Sequence, residues 1–152
     1  MLCGELSHTA LHHVGERHRP SRAIRYVRAH AADYRINPEN IALVGSSAGG
    51  ILNGEVLLNW CDQKNASSLD SSYEPDEVDE IPVSACTVGM IYSFYGRLSV
   101  SMNNVETLRA ANLPPAFYCW GTRDGFAGQF AQNSNAVREA GCTVETHVPL
   151  LS

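Results

Sequence analysis

The sequence lacks what several protein classes require. No apolar run approaches the roughly 20 residues that a membrane-spanning helix needs. The opening stretch MLCGELSHTALHHVGERHR has no apolar segment long enough for a secretory signal, so a cytoplasmic location is expected. Basic residues are few: 11 Lys and Arg stand against 16 Asp and Glu, for a formal charge of −5. That balance makes no footprint for nucleic acid. The cysteines, Cys3, Cys61, Cys86, Cys119 and Cys142, are odd in number and form no CxxC pair. Buried free thiols in a reducing compartment are expected rather than a disulfide framework. His8 and His12 stand at helical i, i+4 spacing, but no acidic or thiol partner completes a metal set. No metal and no cofactor is expected. Internal repeats and linkers are absent too.

What is present suits one soluble domain. The chain has 152 residues, 44% hydrophobic and 18% charged, which is enough to bury a substantial core and too apolar for disorder. Residues 1–19 read as an arm rich in His and Arg, ahead of a single core at 20–152. Pro20-Ser21 marks a helix start with Ser21 as N-cap. Ile24, Val27, Ala31 and Tyr34 then give that helix an apolar face. Arg17, Arg19, Arg22, Arg25 and Arg28 read as its solvated side. Asn37-Pro38 should end it.

Ile41-Ala42-Leu43-Val44 is too short for a helix and fits a strand buried on both faces. After Gly45 to Gly50 the pattern turns helical, to about Trp60. Residues 61–82 are polar and acidic and read as a solvated insertion, with a lid as the functional alternative. Further strands are expected at Ala85–Tyr95, Ala116–Trp120 and Thr143–Val148. Helices are expected at Val105–Ala111 and Gln129–Ala140, with Gly141 closing the latter. Alternating helices and strands imply an α/β fold with a parallel sheet of about four strands. Ligands bind such sheets beyond the C-terminal strand ends, where Ser47 and Asp124 both fall.

Gly45-Ser46-Ser47-Ala48-Gly49-Gly50 has the form of a nucleophile elbow, a sharp turn from strand to helix that exposes a serine. Gly45 and Gly49 bracket Ser47, and Gly50 lets the helix approach the strand. The Ala48 amide, at a helix N-terminus, is the expected oxyanion donor. A phosphate-binding glycine loop is the competing reading, but the P-loop lysine and the dinucleotide spacing are missing.

RAIRYVRAHAADYRINPENIALVGSSAGG resembles the nucleophile segment of α/β-hydrolase esterases, in the acetyl-esterase and lipase-like group that includes bacterial acetylxylan esterases. PPAFYCWGTRDGFAGQFAQNSNAVREAGCTVETHV resembles the segment carrying their catalytic acid, which implies that role for Asp124 within Gly121-Thr122-Arg123-Asp124. The resemblance spans about residues 20–148 and implies a small-molecule ester substrate. It also implies a catalytic His on a loop after the last strand, and an HGGG loop upstream. The sequence contains no HGG, and His147 matches a position within the last strand rather than the loop beyond it. His147 is therefore a weak candidate for the base, whose identity stays open among it and His8, His12, His13, His18 and His30.

By this resemblance the chain is expected to be the C-terminal part of the group's domain, shortened at both ends. The strand at 41–44 would lose one neighbour, so either residues 1–19 cover its edge or two chains pair there. Three functions follow: a serine esterase or lipase acting on short acyl esters, a catalytically incomplete fragment of one, or a serine peptidase on the same fold.

Overall fold

The computed structural model describes residues 19–59, 73–97 and 99–150. Four strands form one parallel sheet: β1 (Ala42–Ser46), β2 (Thr87–Ile91), β5 (Ala116–Cys119) and β6 (Val144–His147), in the order β1-β2-β5-β6. The helices α1 (Arg19–Ala29), α2 (Ala48–Asn59), α3 (Val105–Ala110) and α4 (Ala127–Glu139) alternate with these strands. This is the expected α/β architecture. The pair β3 (Gly96–Arg97) and β4 (Val100–Ser101) adds a small antiparallel piece that the apolar pattern does not announce.

The core lies on one face of the sheet. Leu43, Val88, Met90, Ala116 and Tyr118 point to it and meet Ile51 and Leu57 of α2, Leu108 of α3 and Phe130 and Val137 of α4. Ile24 of α1 joins Val56, Val83 and Leu43 in a second cluster on the same side. The opposite face carries Ala42, Val44 and Ser46 in β1, Ile91 in β2, Phe117 and Cys119 in β5, and His147 in β6; none of these is buried. Burial of the 41–44 segment on both faces is thus corrected: Val44 is 66% exposed. A continuous apolar run looks the same whether one face or two are covered, so the pattern could not distinguish them. The thiols differ from expectation as well, since Cys86 is exposed and Cys119 and Cys142 are only half-buried. The expected edge is present: β1 ends the sheet, with β2 as its one neighbour among the described residues. Of the arm expected to cover it, residues 1–19, all but Arg19 lie outside them.

Helix α1 departs from its expected limits. It includes Arg19 and Pro20, so Ser21 is a buried residue of the first turn rather than the N-cap. Proline is tolerated there because first-turn amides have no intrahelical acceptor. The helix stops at Ala29, well before Asn37, and Tyr34 is exposed instead of joining the apolar face.

The reading of the arginines as a solvated face is overturned for Arg22, Arg25 and Arg28; Arg17 lies outside the described residues. Arg22, Arg25 and Arg28 recur every three residues and form a ladder that grips residues 73–84. Arg28 donates to the carbonyls of Pro38, Pro82 and Ser84. Arg25, 1% exposed, donates to the Ile81 carbonyl at 2.9 Å and pairs with Asp79 at 3.2 Å. Arg22 holds Asp76 at 2.5 Å and Asp79 at 3.0 Å. Asp76 and Asp79 also cap one turn of 3₁₀ helix (Glu77–Glu80) reciprocally. So the described end of the acidic segment, 73–80, is fastened to α1 through Asp76 and Asp79, while Glu74, Glu77 and Glu80 remain exposed as expected of a solvated segment. Residues 60–72, including Trp60, lie outside the described residues, and with them most of the lid expectation.

One buried amide organises the far side. Asn133 of α4, wholly buried, accepts from the Tyr95 amide at 3.0 Å and from the Tyr118 hydroxyl at 2.7 Å. Its NH₂ donates to the carbonyls of Tyr95 and Met102. All of its polar capacity is thereby used, and α4 is fixed to β5 and to the chain after β2.

The ladder has two measurable consequences. Asp79→Ala takes the carboxylate from between two guanidiniums, and the cost should be about 3 kcal/mol, read as a lower urea midpoint at unchanged slope. The acid response follows from the carboxyl groups. The Arg22 guanidinium holds Asp76 at about 2. Burial opposes ionisation of Asp79, but the Tyr73 hydroxyl, the Asp76 amide and Arg22 outweigh it and keep its carboxyl below the usual range. Carboxyls lowered in the folded state stabilise fully above their unfolded values, about 3.9 for Asp. Stability from the ladder should therefore hold above pH 4 and fade as pH falls towards 2. The Arg22→Met variant should show a shallower loss over that window in acid titrations of stability.

Candidate active site

The elbow is built by the close approach of strand and helix. β1 ends at Ser46, Ser47 turns the chain at φ 49°, and α2 begins at Ala48. A left-handed φ at a serine is strained and persists only where surrounding contacts hold it. Those contacts are explicit. The Ser47 amide donates to the Ile91 carbonyl of β2 at 3.0 Å, and its own carbonyl accepts from Gly50 at 3.0 Å, Ile51 at 3.2 Å and the Ser93 hydroxyl at 2.8 Å. A Cβ on Gly45 would stand 2.4 Å from backbone atoms of Gly49 and Gly50. A Cβ on Gly50 would stand 2.4 Å from Ser93 Oγ and 2.9 Å from the Gly45 carbonyl. Gly49, the other glycine bracketing Ser47, plays no part in the approach, because a Cβ there meets nothing within 4 Å.

Ser47 is exposed at the C-terminal edge of the sheet. Ala48, the first residue of α2, carries one of the amides that a helix start leaves without an intrahelical acceptor. Asp124 lies beyond β5 in the loop leading to α4. Its Oδ1 accepts from the Phe126 amide at 2.8 Å and its carbonyl from Ala127 at 3.0 Å. β2 stands between β1 and β5, so the nucleophile and acid candidates belong to strands two spacings apart, about 10 Å. The base of a serine hydrolase would have to stand between them.

His147 does not meet that need. Ser46, Ile91, Cys119 and His147 are successive partners across the sheet, which puts His147 three strand spacings from the elbow, about 14 Å. His30 sits just past the end of α1, stacked on Tyr26 with Nδ1 against the Tyr26 carbonyl. His8, His12, His13 and His18 lie outside the described residues. Among the described residues no cluster of His, Cys, Asp and Glu is suited to a metal, and no helix is long and apolar enough to cross a membrane.

Two residues at this edge escape the sequence pattern. Tyr92, directly after β2, has φ 38° and is 46% exposed, and Ser93 beside it is 2% exposed. Nothing in Tyr-Ser-Phe-Tyr signals a role, since a hydroxyl beneath an elbow has no periodicity and no spacing to give it away.

The model of the family described as BD-FAE matches residues 19–122, about two thirds of the chain. The chain belongs to this family. Its fold is that of α/β-hydrolase esterases. An esterase 2 from Thermogutta terrifontis, solved phosphoramylated by tabun, superposes with a TM-score of 0.62 at 21% identity, over 91% of this chain and 54% of that one. An acetyl ester-xyloside bifunctional hydrolase from Caldicellulosiruptor lactoaceticus gives 0.62 at 18% identity, over 91% and 55%. MGS-M1, an alpha/beta hydrolase enzyme from a Medee basin deep-sea metagenome library, gives 0.57 at 18%, over 88% and 47%. The chain therefore spans about half the length of the solved structures it matches. Among curated proteins, none is a significant match to the sequence.

The elbow glycines should respond unequally. Gly45→Ala and Gly50→Ala should each cost at least about 1–3 kcal/mol through overpacking, and Gly45→Ala more because only backbone opposes it. Gly49→Ala should be neutral or stabilising by up to about 1 kcal/mol, as alanine is the better helix former. Thermal melts of the three variants decide this.

Proposed function

We propose that this chain carries the nucleophile of a serine carboxylic-ester hydrolase acting on short acyl esters. The observation behind the reading is Ser47 held at φ 49° between the C-terminal end of β1 and the start of α2. Strain of that kind at an exposed serine, opposite an Asp two strands away, suits a group kept ready for attack.

In this reading Ser47 Oγ attacks the ester carbonyl carbon while a base takes its proton. The carbonyl oxygen becomes an oxyanion facing the Ala48 amide and the positive end of α2. Collapse expels the alcohol, which receives the proton, and leaves an acyl group on Ser47. Water then attacks the acyl carbon and releases the acid by the same route. Asp124 orients the imidazole through Oδ2, as Oδ1 is engaged by Phe126. A residue outside the described ones supplies that imidazole. The reaction uses no cofactor. The β1 edge is where a second chain would pair.

The distance of His147 favours a second reading, in which this chain alone is catalytically incomplete. The described histidines are His30 and His147, and neither is placed as the base. Losing the base leaves only about 10³–10⁴-fold over water from the oxyanion site and binding. The shared fold and elbow also suit a serine peptidase, which a peptide substrate in the same assay would detect.

A fluorophosphonate probe and a short-chain nitrophenyl ester test the proposal. Wild type should be labelled and should turn over the ester, Ser47→Ala should do neither, and Asp124→Asn should lower kcat by up to about 10⁴-fold. Absence of both Ser47-dependent labelling and turnover would support the incomplete-chain reading. Labelling that survives Ser47→Ala would exclude Ser47 as the nucleophile.

A further inference from the structure

We propose that Ser93 is a positioning residue for Ser47, a role that rests on the reading of Ser47 as nucleophile. After β2 the chain reverses at Tyr92, whose left-handed φ of 38° is costly for a bulky residue. The Tyr92 amide meanwhile stays on the Cys119 carbonyl at 2.6 Å. This reversal brings Ser93 beneath the elbow, 2% exposed, where its hydroxyl donates to the Ser47 carbonyl at 2.8 Å. Gly50 leaves the space that hydroxyl occupies, because a Cβ there would lie 2.4 Å from Ser93 Oγ. Strained Tyr92, buried Ser93 and bare Gly50 are thus three parts of one contact.

The contact adds direction rather than satisfaction. The Ser47 carbonyl already accepts from the Gly50 and Ile51 amides, at 3.0 and 3.2 Å. With two lone pairs and two amide donors, it would not be orphaned without Ser93. The hydroxyl instead fixes the plane of the peptide that follows Ser47, while the Ile91 carbonyl fixes the one before it. Both peptides flanking the nucleophile are therefore tied to β2 and its exit. Rotation of the peptide after Ser47 would turn the Ala48 amide away from the oxyanion that Ser47 Oγ generates.

The test uses the full chain. Ser93→Ala should keep its melting temperature within a few degrees, since no acceptor is left bare, yet label with a fluorophosphonate at least tenfold more slowly. With a nitrophenyl ester the loss should appear in kcat with KM unchanged, and Ser93→Thr, which keeps the hydroxyl, should recover labelling to within threefold. Folded Ser93→Ala labelling at the wild-type rate would overturn the proposal. If the alanine variant fails to fold, Ser93→Cys, similar in size and a poor donor, gives the same decision. If wild type itself is not labelled, the nucleophile reading has failed on its own. Hydrogen exchange at the Ser47, Gly50 and Ile51 amides then decides the clamp: loss of protection in Ser93→Ala supports it, and unchanged protection overturns it.

Discussion

The backbone of Gly45 touches the backbone of Gly49 and Gly50, and the candidate site depends on that approach. It brings α2 onto β1 at the first possible turn, so one residue must absorb the whole change of direction. That residue is Ser47, in the left-handed region. Its amide then meets β2 and its carbonyl lies over Ser93. Any side chain at Gly45 would lift α2 and release these contacts together. The helix so placed covers Met90 and Tyr95 and closes the core on that face of the sheet.

A second constraint is electrostatic and lies elsewhere. The ladder of Arg22, Arg25 and Arg28 joins α1 to residues 73–84 and contributes no group to the elbow. The two systems meet through apolar packing, where Ile24 of α1 touches the cluster of Val56 and Val83. That packing joins the two, so loosening of α1 would be felt by the helix that starts at the elbow.

Much of the fold was legible because each strand is a short apolar run and most helices repeat at their own period. The elbow was legible because three glycines around a serine between such runs have few other uses. The arginines misled because their carboxylate partners stand 54 to 57 residues away in sequence, and a local pattern cannot show a distant carboxylate. Asn133 was passed over for the same reason: its value lies in Tyr95, Met102 and Tyr118. The open space at Gly49 was not legible, since motif membership does not reveal whether a Cβ would find room. His147 was placed correctly within the last strand. Its separation from Ser47 needed strand order, which no single segment contains.

The ladder also bears on chain length between α2 and β2. Helix α2 ends at Asn59, and Tyr73 is already held by the Asp79 carboxylate at 2.7 Å. The two ends of the intervening segment are fixed independently of whatever joins them. The span from Asn59 to Tyr73 is thus set by the packing of α2 on the sheet and by the ladder, and any chain that links the two must bridge that fixed distance.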